Sequence, residues 1–210
     1  NEFVPNPKFV PTFKKEEENY KEAAKILKES GADLLVLEML LDVDHSKILL
    51  NAALETGLPV WVGLSCCDSK FDNSVIGRNF RAEKEKSLIY DENKYKDQPK
   101  YLPEDKIILL EDIIKSLSSL GGDVYGIMHT WFQDSIGGLT ILKNNWKGPI
   151  MFYPEIHKFD TNTHKAIITM TEEEFSNSIL ELIDDQIQIV GGCCGVNDKH
   201  LKRLIQSISE

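Results

Sequence analysis

Five short, nearly continuous apolar runs do most to limit what this 210-residue chain can fold into. They cover residues 33–38, 58–65, 123–128, 149–153 and 186–190. A half-exposed strand alternates apolar and polar residues, whereas a run with little alternation suits a parallel strand covered on both faces. Amphipathic stretches at 14–30, 45–55, 111–120, 172–183 and 198–208 fall around and between the runs and predict helices. Gly31 follows the first as a C′ glycine, and Thr171 with Glu174 reads as a capping box opening the fourth. Strand and helix in this rhythm predict an α/β fold with a parallel sheet and right-handed crossovers.

Charge and cysteine usage narrow the function classes. Lys and Arg total 24 against 34 Asp and Glu, a net charge of −10 that offers no field attractive to nucleic-acid phosphates. No apolar run reaches the roughly 18 residues of a membrane span, and no secretory signal is visible. The expectation is a cytoplasmic protein with neither nucleic-acid nor membrane partners. Four cysteines do not make a disulfide scaffold in a chain of this size, and they fall as two adjacent pairs, Cys66-Cys67 and Cys193-Cys194. Residues 68–105 break the rhythm with a polar, charge-dense stretch where a βα loop of roughly 2–6 residues would serve. That stretch reads either as a lid over the carboxyl end of the sheet or as a decorative insertion.

In parallel α/β proteins the chemistry collects at the carboxyl ends of the strands. The sharpest feature there is Gly191-Gly192-Cys193-Cys194-Gly195, directly after the last apolar run. Glycines on both sides let the backbone turn tightly and bring two sulfurs toward one point. Two thiolates can share one soft cation, and three protein ligands with an open position mark a catalytic zinc site. The plainer alternative is a pair of small buried residues filling space.

The motif Gly191 to Gly195 followed by His200-Leu201 resembles the GGCCG…HI signature of the homocysteine S-methyltransferase family. Other segments follow in that family's order. Residues 31–38 resemble its strand ending in Glu-Thr, and 56–66 its "tglPvwvSf.C" strand. Gly126 to His129 stands at its "GvNC", and 149–154 resembles "PllvYPN". The resemblance implies a (β/α)₈ TIM barrel that moves a methyl group from a small donor to the thiolate of homocysteine, giving methionine. It implies Zn²⁺ as cofactor, with Cys193 and Cys194 as ligands and no catalytic residue beyond the metal-activated substrate thiol. It also implies substrate contacts from Glu38, Tyr153 and Glu155. Betaine, S-methylmethionine, S-adenosylmethionine and folate-linked donors all remain open as the methyl source.

Two positions depart from the family pattern. His129 replaces the family's other zinc cysteine, and histidine is itself a good zinc ligand, so a Cys₂His site is expected. Glu155 stands where the family has Asn, next to the active face. Cys66 is a conceivable substitute ligand, while Cys67 is expected to pack or face solvent. His157 reads either as lining the active face or as a surface-loop residue. His45 and His164 are expected to be solvated and His200 to be structural. Trp131 and Phe132 would either wall a donor pocket or pack internally. The family barrel has eight strands and five are visible here, so the expectation is that the chain holds strands 4 to 8. On that reading the first three βα units lie ahead of Asn1, or a second segment or a further copy of the chain completes the barrel. A non-catalytic barrel acting in assembly and a vicinal-dithiol redox protein are the competing readings.

Overall fold

The computed structural model describes residues 11–68, 74–78, 107–160 and 165–209. Helix α1 (Phe13–Glu29) opens on Thr12, whose side chain accepts the Lys15 N–H, and ends before Gly31 in the left-handed conformation at φ +90°. Strand β1 (Leu35–Leu40), α2 (Val43–Leu54) and β2 (Val60–Leu64) follow. Three short strands come next, β3 (Cys67–Asp68), β4 (Val75–Arg78) and β5 (Ile107–Leu109), and β5 runs straight into α3 (Leu110–Ser118). Then come β6 (Val124–Trp131), α4 (Phe132–Asn145) and β7 (Ile150–Glu155). A hairpin of β8 (His157–Asp160) and β9 (Lys165–Ile168) leads to α5 (Glu172–Leu180), β10 (Ile187–Val190) and α6 (Asp198–Ser209).

The five apolar runs become one parallel sheet in the order β1-β2-β6-β7-β10. Each long strand adds beside its predecessor, as strands do in the wall of a TIM barrel, so the fold is a partial TIM-barrel-like arrangement. One sheet face carries the core: Leu35, Leu37, Val60, Val62, Tyr125, Ile127, Ile150 and Phe152 pack against Leu50, Ile113, Leu117, Leu142 and Phe175 from the helices. Successive side chains on a strand point to opposite faces. Val36 and Glu38 are therefore on the other face, and both are exposed. The capping box at Thr171 and Glu174 is present as expected.

Helix α4 is not among the helices expected from periodicity. Gly137 and Gly138 weaken its signal, since each glycine costs about 1 kcal/mol relative to Ala in a helix interior. Gly138 has a packing reason: a Cβ there would stand 2.5 Å from Cys66 Sγ. At the start of the long polar stretch, inside it and just beyond it, β3, β4 and β5 form a small antiparallel sheet through which the chain leaves β2 and returns to α3. The lid expectation falls largely on residues 69–73 and 79–106, outside the described residues, as do 1–10 and His164.

The expectation of a solvated His45 is corrected by the structure. Packing of α1 on α2 buries Glu16 and Asp42 to 5% and 2% exposure. A buried carboxylate needs polar partners, and Glu16 takes His45 Nδ1 and the Tyr20 hydroxyl. His45 is drawn into the helix interface as a consequence.

Candidate metal centre

His129 reaches the site through a distorted stretch of β6. The pairing of β6 with β7 shifts register between Met128 and Trp131, and His129 has φ +44°. A left-handed conformation costs a non-glycine residue about 1–2 kcal/mol, and such strain persists only where neighbours hold it. Here Ser65 Oγ donates to the His129 carbonyl at 2.7 Å. Thr130 Oγ1 donates to the Met128 carbonyl at 2.9 Å and accepts the Cys66 N–H at 3.0 Å. Ser65 and Thr130 thus position the histidine, and nothing in their sequence spacing announced it.

Cys193 and Cys194 arrive from β10 on a turn stitched to β7. Gly191 N–H donates to the Phe152 carbonyl at 3.2 Å, Cys193 N–H to Pro154 at 3.0 Å, and Ile156 N–H to the Cys194 carbonyl at 2.9 Å. Gly191 is required by close approach, because a Cβ would lie 2.6 Å from the Tyr153 ring. Gly195 closes the turn at φ +91°.

These two devices bring His129, Cys193 and Cys194 together. His129 Nδ1 lies 3.7 Å from Cys193 Sγ and 3.6 Å from Cys194 Sγ, and the sulfurs are 3.9 Å apart. Tetrahedral bonds of typical zinc length would place two sulfurs about 3.8 Å apart and sulfur and nitrogen about 3.6 Å apart. The three donors therefore fit the edges of one coordination tetrahedron.

Two more polar groups converge beside them. Glu155 Oε2 is 3.5 Å from His129 Nδ1, and His157 Nδ1 is 3.9 Å from Glu155 Oε2. Both of these atoms are buried and, among the described residues, have no hydrogen-bond partner. Ligand atoms of Glu155, His157 and Cys194 all lie within 4.8 Å of one another. Buried polar atoms without partners are costly, and a cation would satisfy them. Burial, followed by the neighbouring Cys193 and Glu155, pushes the Cys194 thiol up to about 11. A bound divalent ion would invert that balance in favour of the thiolate.

The remaining expected residues separate from this centre to different degrees. Tyr153 packs under Gly191, and burial pushes its phenol up. Glu38 is exposed on the edge strand β1, two strands from β6 in the sheet order, and is not among the clustered donors. Cys66 is not a substitute ligand: it lies in the core on the helix-packed face, and burial pushes its thiol up to about 12. Cys67 is exposed. Phe132 is a core residue, in edge-to-face contact with Phe152. Trp131 has the Lys158 ammonium 3.8 Å above its ring. His200 is buried between Asn197, the Met170 carbonyl and the Phe175 ring, a structural setting. His157 belongs to the centre, and a signal for it existed: two residues beyond Glu155 in extended chain, it returns to the same side.

The sequence profile of the homocysteine S-methyltransferase family matches residues 3–87 and 109–208. This chain belongs to the homocysteine S-methyltransferase family. The structure is similar to the homocysteine methyltransferase MmuM of Escherichia coli in its apo form, with a TM-score of 0.62 at 14% identity, covering 95% of this chain and 58% of that one. The metallated form gives a TM-score of 0.64 at 13% identity, with coverage of 99% and 56%. Such low identities show a shared fold. The chain spans less than two thirds of the length of these two structures. No curated protein matches the sequence. Among the described residues no helix is long and apolar enough to cross a membrane.

Proposed function

We propose that this protein takes part in zinc-dependent transfer of a methyl group from a small donor to the thiolate of homocysteine, giving methionine. The observation that carries the reading is the convergence of His129 Nδ1 with Cys193 and Cys194 Sγ, at separations of 3.6 to 3.9 Å, beyond the carboxyl ends of parallel strands. Family membership supplies the reaction class. Zinc held by these three side chains would lower the pKa of a substrate thiol, so that the nucleophile exists at neutral pH.

The chain's own residues do the rest. The strained His129 backbone and the Gly191 to Gly195 turn fix the donors before any ligand binds, which removes an ordering cost from binding. Tyr153 supports the turn from beneath and shapes the floor beside it. Glu38, with its carboxylate on the open sheet face, is proposed to contact the amino group of the amino-acid substrate. The sulfur separation of 3.9 Å is that of two donors facing one ion, since a disulfide needs about 2.0 Å. Two thiols held reduced suit a cytoplasmic setting.

Metal analysis of freshly purified, reduced protein tests the reading. One zinc per chain is expected, with loss on replacement of either cysteine. Protein that takes up no zinc with its thiols reduced would overturn it.

A further inference from the structure

We propose that Glu155, His157 and Cys194 form a second divalent-cation site beside the first, with the Cys194 thiolate shared between the two ions. The site takes a borderline first-row ion such as zinc or cobalt, and takes it more weakly than His129, Cys193 and Cys194 do. The proposal rests on the metal-centre reading above, because the first ion is what holds Cys194 as the thiolate that bridges.

Among the described residues the donors fall into two groups of three that meet only at Cys194. His129, Cys193 and Cys194 make one, at separations of 3.6 to 3.9 Å. Glu155, His157 and Cys194 make the other, their ligand atoms all within 4.8 Å of one another. The backbone builds this second group. Ile156 donates its N–H to the Cys194 carbonyl at 2.9 Å, which pins the corner between β7 and β8 to the cysteine turn. Glu155 and His157 flank Ile156, and extended chain sends both side chains the same way. Gly195 lets His157 come close, since a Cβ there would lie 3.2 Å from the His157 backbone nitrogen. Glu155 Oε2 and His157 Nδ1 stand 3.9 Å apart, too far for a hydrogen bond. Both atoms are buried and have no hydrogen-bond partner among the described residues, which is costly. A proton cannot bridge that gap, whereas an ion with bonds of about 2.0–2.2 Å to nitrogen and oxygen spans it.

Filling the first site leaves Glu155 without a hydrogen-bond donor. Its Oε2 lies 3.5 Å from His129 Nδ1, the nitrogen that faces both sulfurs, and a coordinating nitrogen carries no proton to give. Two thiolates balance the first divalent ion, so the buried carboxylate remains as one net negative charge. A second ion held by Glu155 and His157 meets that charge and satisfies both unpartnered atoms. The order of filling follows from the donors. Two sulfurs and an imidazole suit zinc better than one shared sulfur with an oxygen and a nitrogen, and the second ion also feels repulsion from the first. Purified protein therefore keeps one ion, and the second site fills when metal is supplied.

Titration of reduced, metal-free protein with cobalt(II) provides the test, because visible absorption reports both the number of ions and the kind of ligands. Wild-type protein, Glu155→Gln and His157→Ala are compared, with circular dichroism confirming that the variants fold. The wild type is expected to take two ions in sequence, the first with strong thiolate-to-cobalt charge transfer and the second with a separate, weaker transition. Both variants are expected to keep the first ion and its charge transfer. Their second ion is expected to be lost or weakened by about 100-fold or more, beyond the effect of an outer-shell partner. Wild-type protein that saturates at one ion would overturn the second site and leave the first standing. A second ion that survives in both folded variants would be held elsewhere on this acidic chain, and would overturn the proposal equally. A wild-type protein without cobalt–thiolate charge transfer would instead overturn the metal-centre reading itself, so the two failures are distinguishable.

Discussion

His45 and His129 each stand beside a carboxylate with a buried oxygen, and their surroundings differ. At the α1–α2 interface, His45 Nδ1 and the Tyr20 hydroxyl both engage Glu16, while the Asp42 side chain accepts the His45 N–H at 2.8 Å. Protein groups close that network, leaving only His45 Nε2 without a partner among its described side-chain atoms. At the sheet's carboxyl edge, His129 Nδ1 faces two sulfurs and a carboxylate, none within ordinary hydrogen-bond distance of a nitrogen–oxygen pair. Glu155 and His157 each keep a buried, unpartnered atom there. The first cluster has the arrangement of a packing device, because its polar groups satisfy one another. The second has the arrangement of a receptor for a cation, because its groups share a centre instead of pairing.

The largest expected effect separates the clusters by function. Cys193→Ser or Cys194→Ser should abolish stoichiometric zinc and lower methyl transfer by about 100-fold or more, as loss of a group acting on the developing charge does. Metal analysis beside an assay with homocysteine checks this, and retention of both in either variant would break the contrast. Glu16→Ala should do the reverse. It leaves zinc content intact but destabilises the fold by about 2–3 kcal/mol, since the Tyr20 hydroxyl and His45 ring lose a buried acceptor. Urea denaturation measures the loss.

A smaller effect distinguishes the two cysteine pairs by pH. Burial holds the native Cys66 thiol at about 12 against an ordinary value of 9.0. The native state thus favours the protonated form. The stability this contributes is complete below about pH 9 and is lost as pH rises toward 12. Cys66→Ala should therefore flatten the alkaline fall in stability relative to wild type, as seen in melts between those pH values. An unchanged slope would show that the thiol does not ionise with unfolding.

Much of the fold was legible because burial on both faces leaves a direct mark on composition. The five runs without alternation mark the five parallel strands, and Gly31 and Thr171 mark their helix ends. Helix α4 was not legible, because Gly138 answers to Cys66, a neighbour that periodicity cannot see. The small strands β3, β4 and β5 escaped for a related reason: each is too short for a pattern to develop. Around the centre, the Gly191 to Gly195 turn was conspicuous as a local string, and His129 through its place at a strand end. Ser65 and Thr130 were not, since their work is to hold a backbone bulge: Ser65 reaches it from beyond β2, and Thr130 ties it from within β6 to the Cys66 N–H.

The sequence by itself determined the strand order's raw material, the place of the vicinal cysteines and the family to which the chain belongs. Those properties are local: apolar runs, glycine positions and spacing survive reading one residue after another. Tertiary structure alone decided that His129 adopts a left-handed backbone and that Glu155 and His157 converge on the same few ångströms as Cys194. Such convergence depends on register and bulges across β6, β7 and β10, where a shift of one residue would turn each donor to the opposite face.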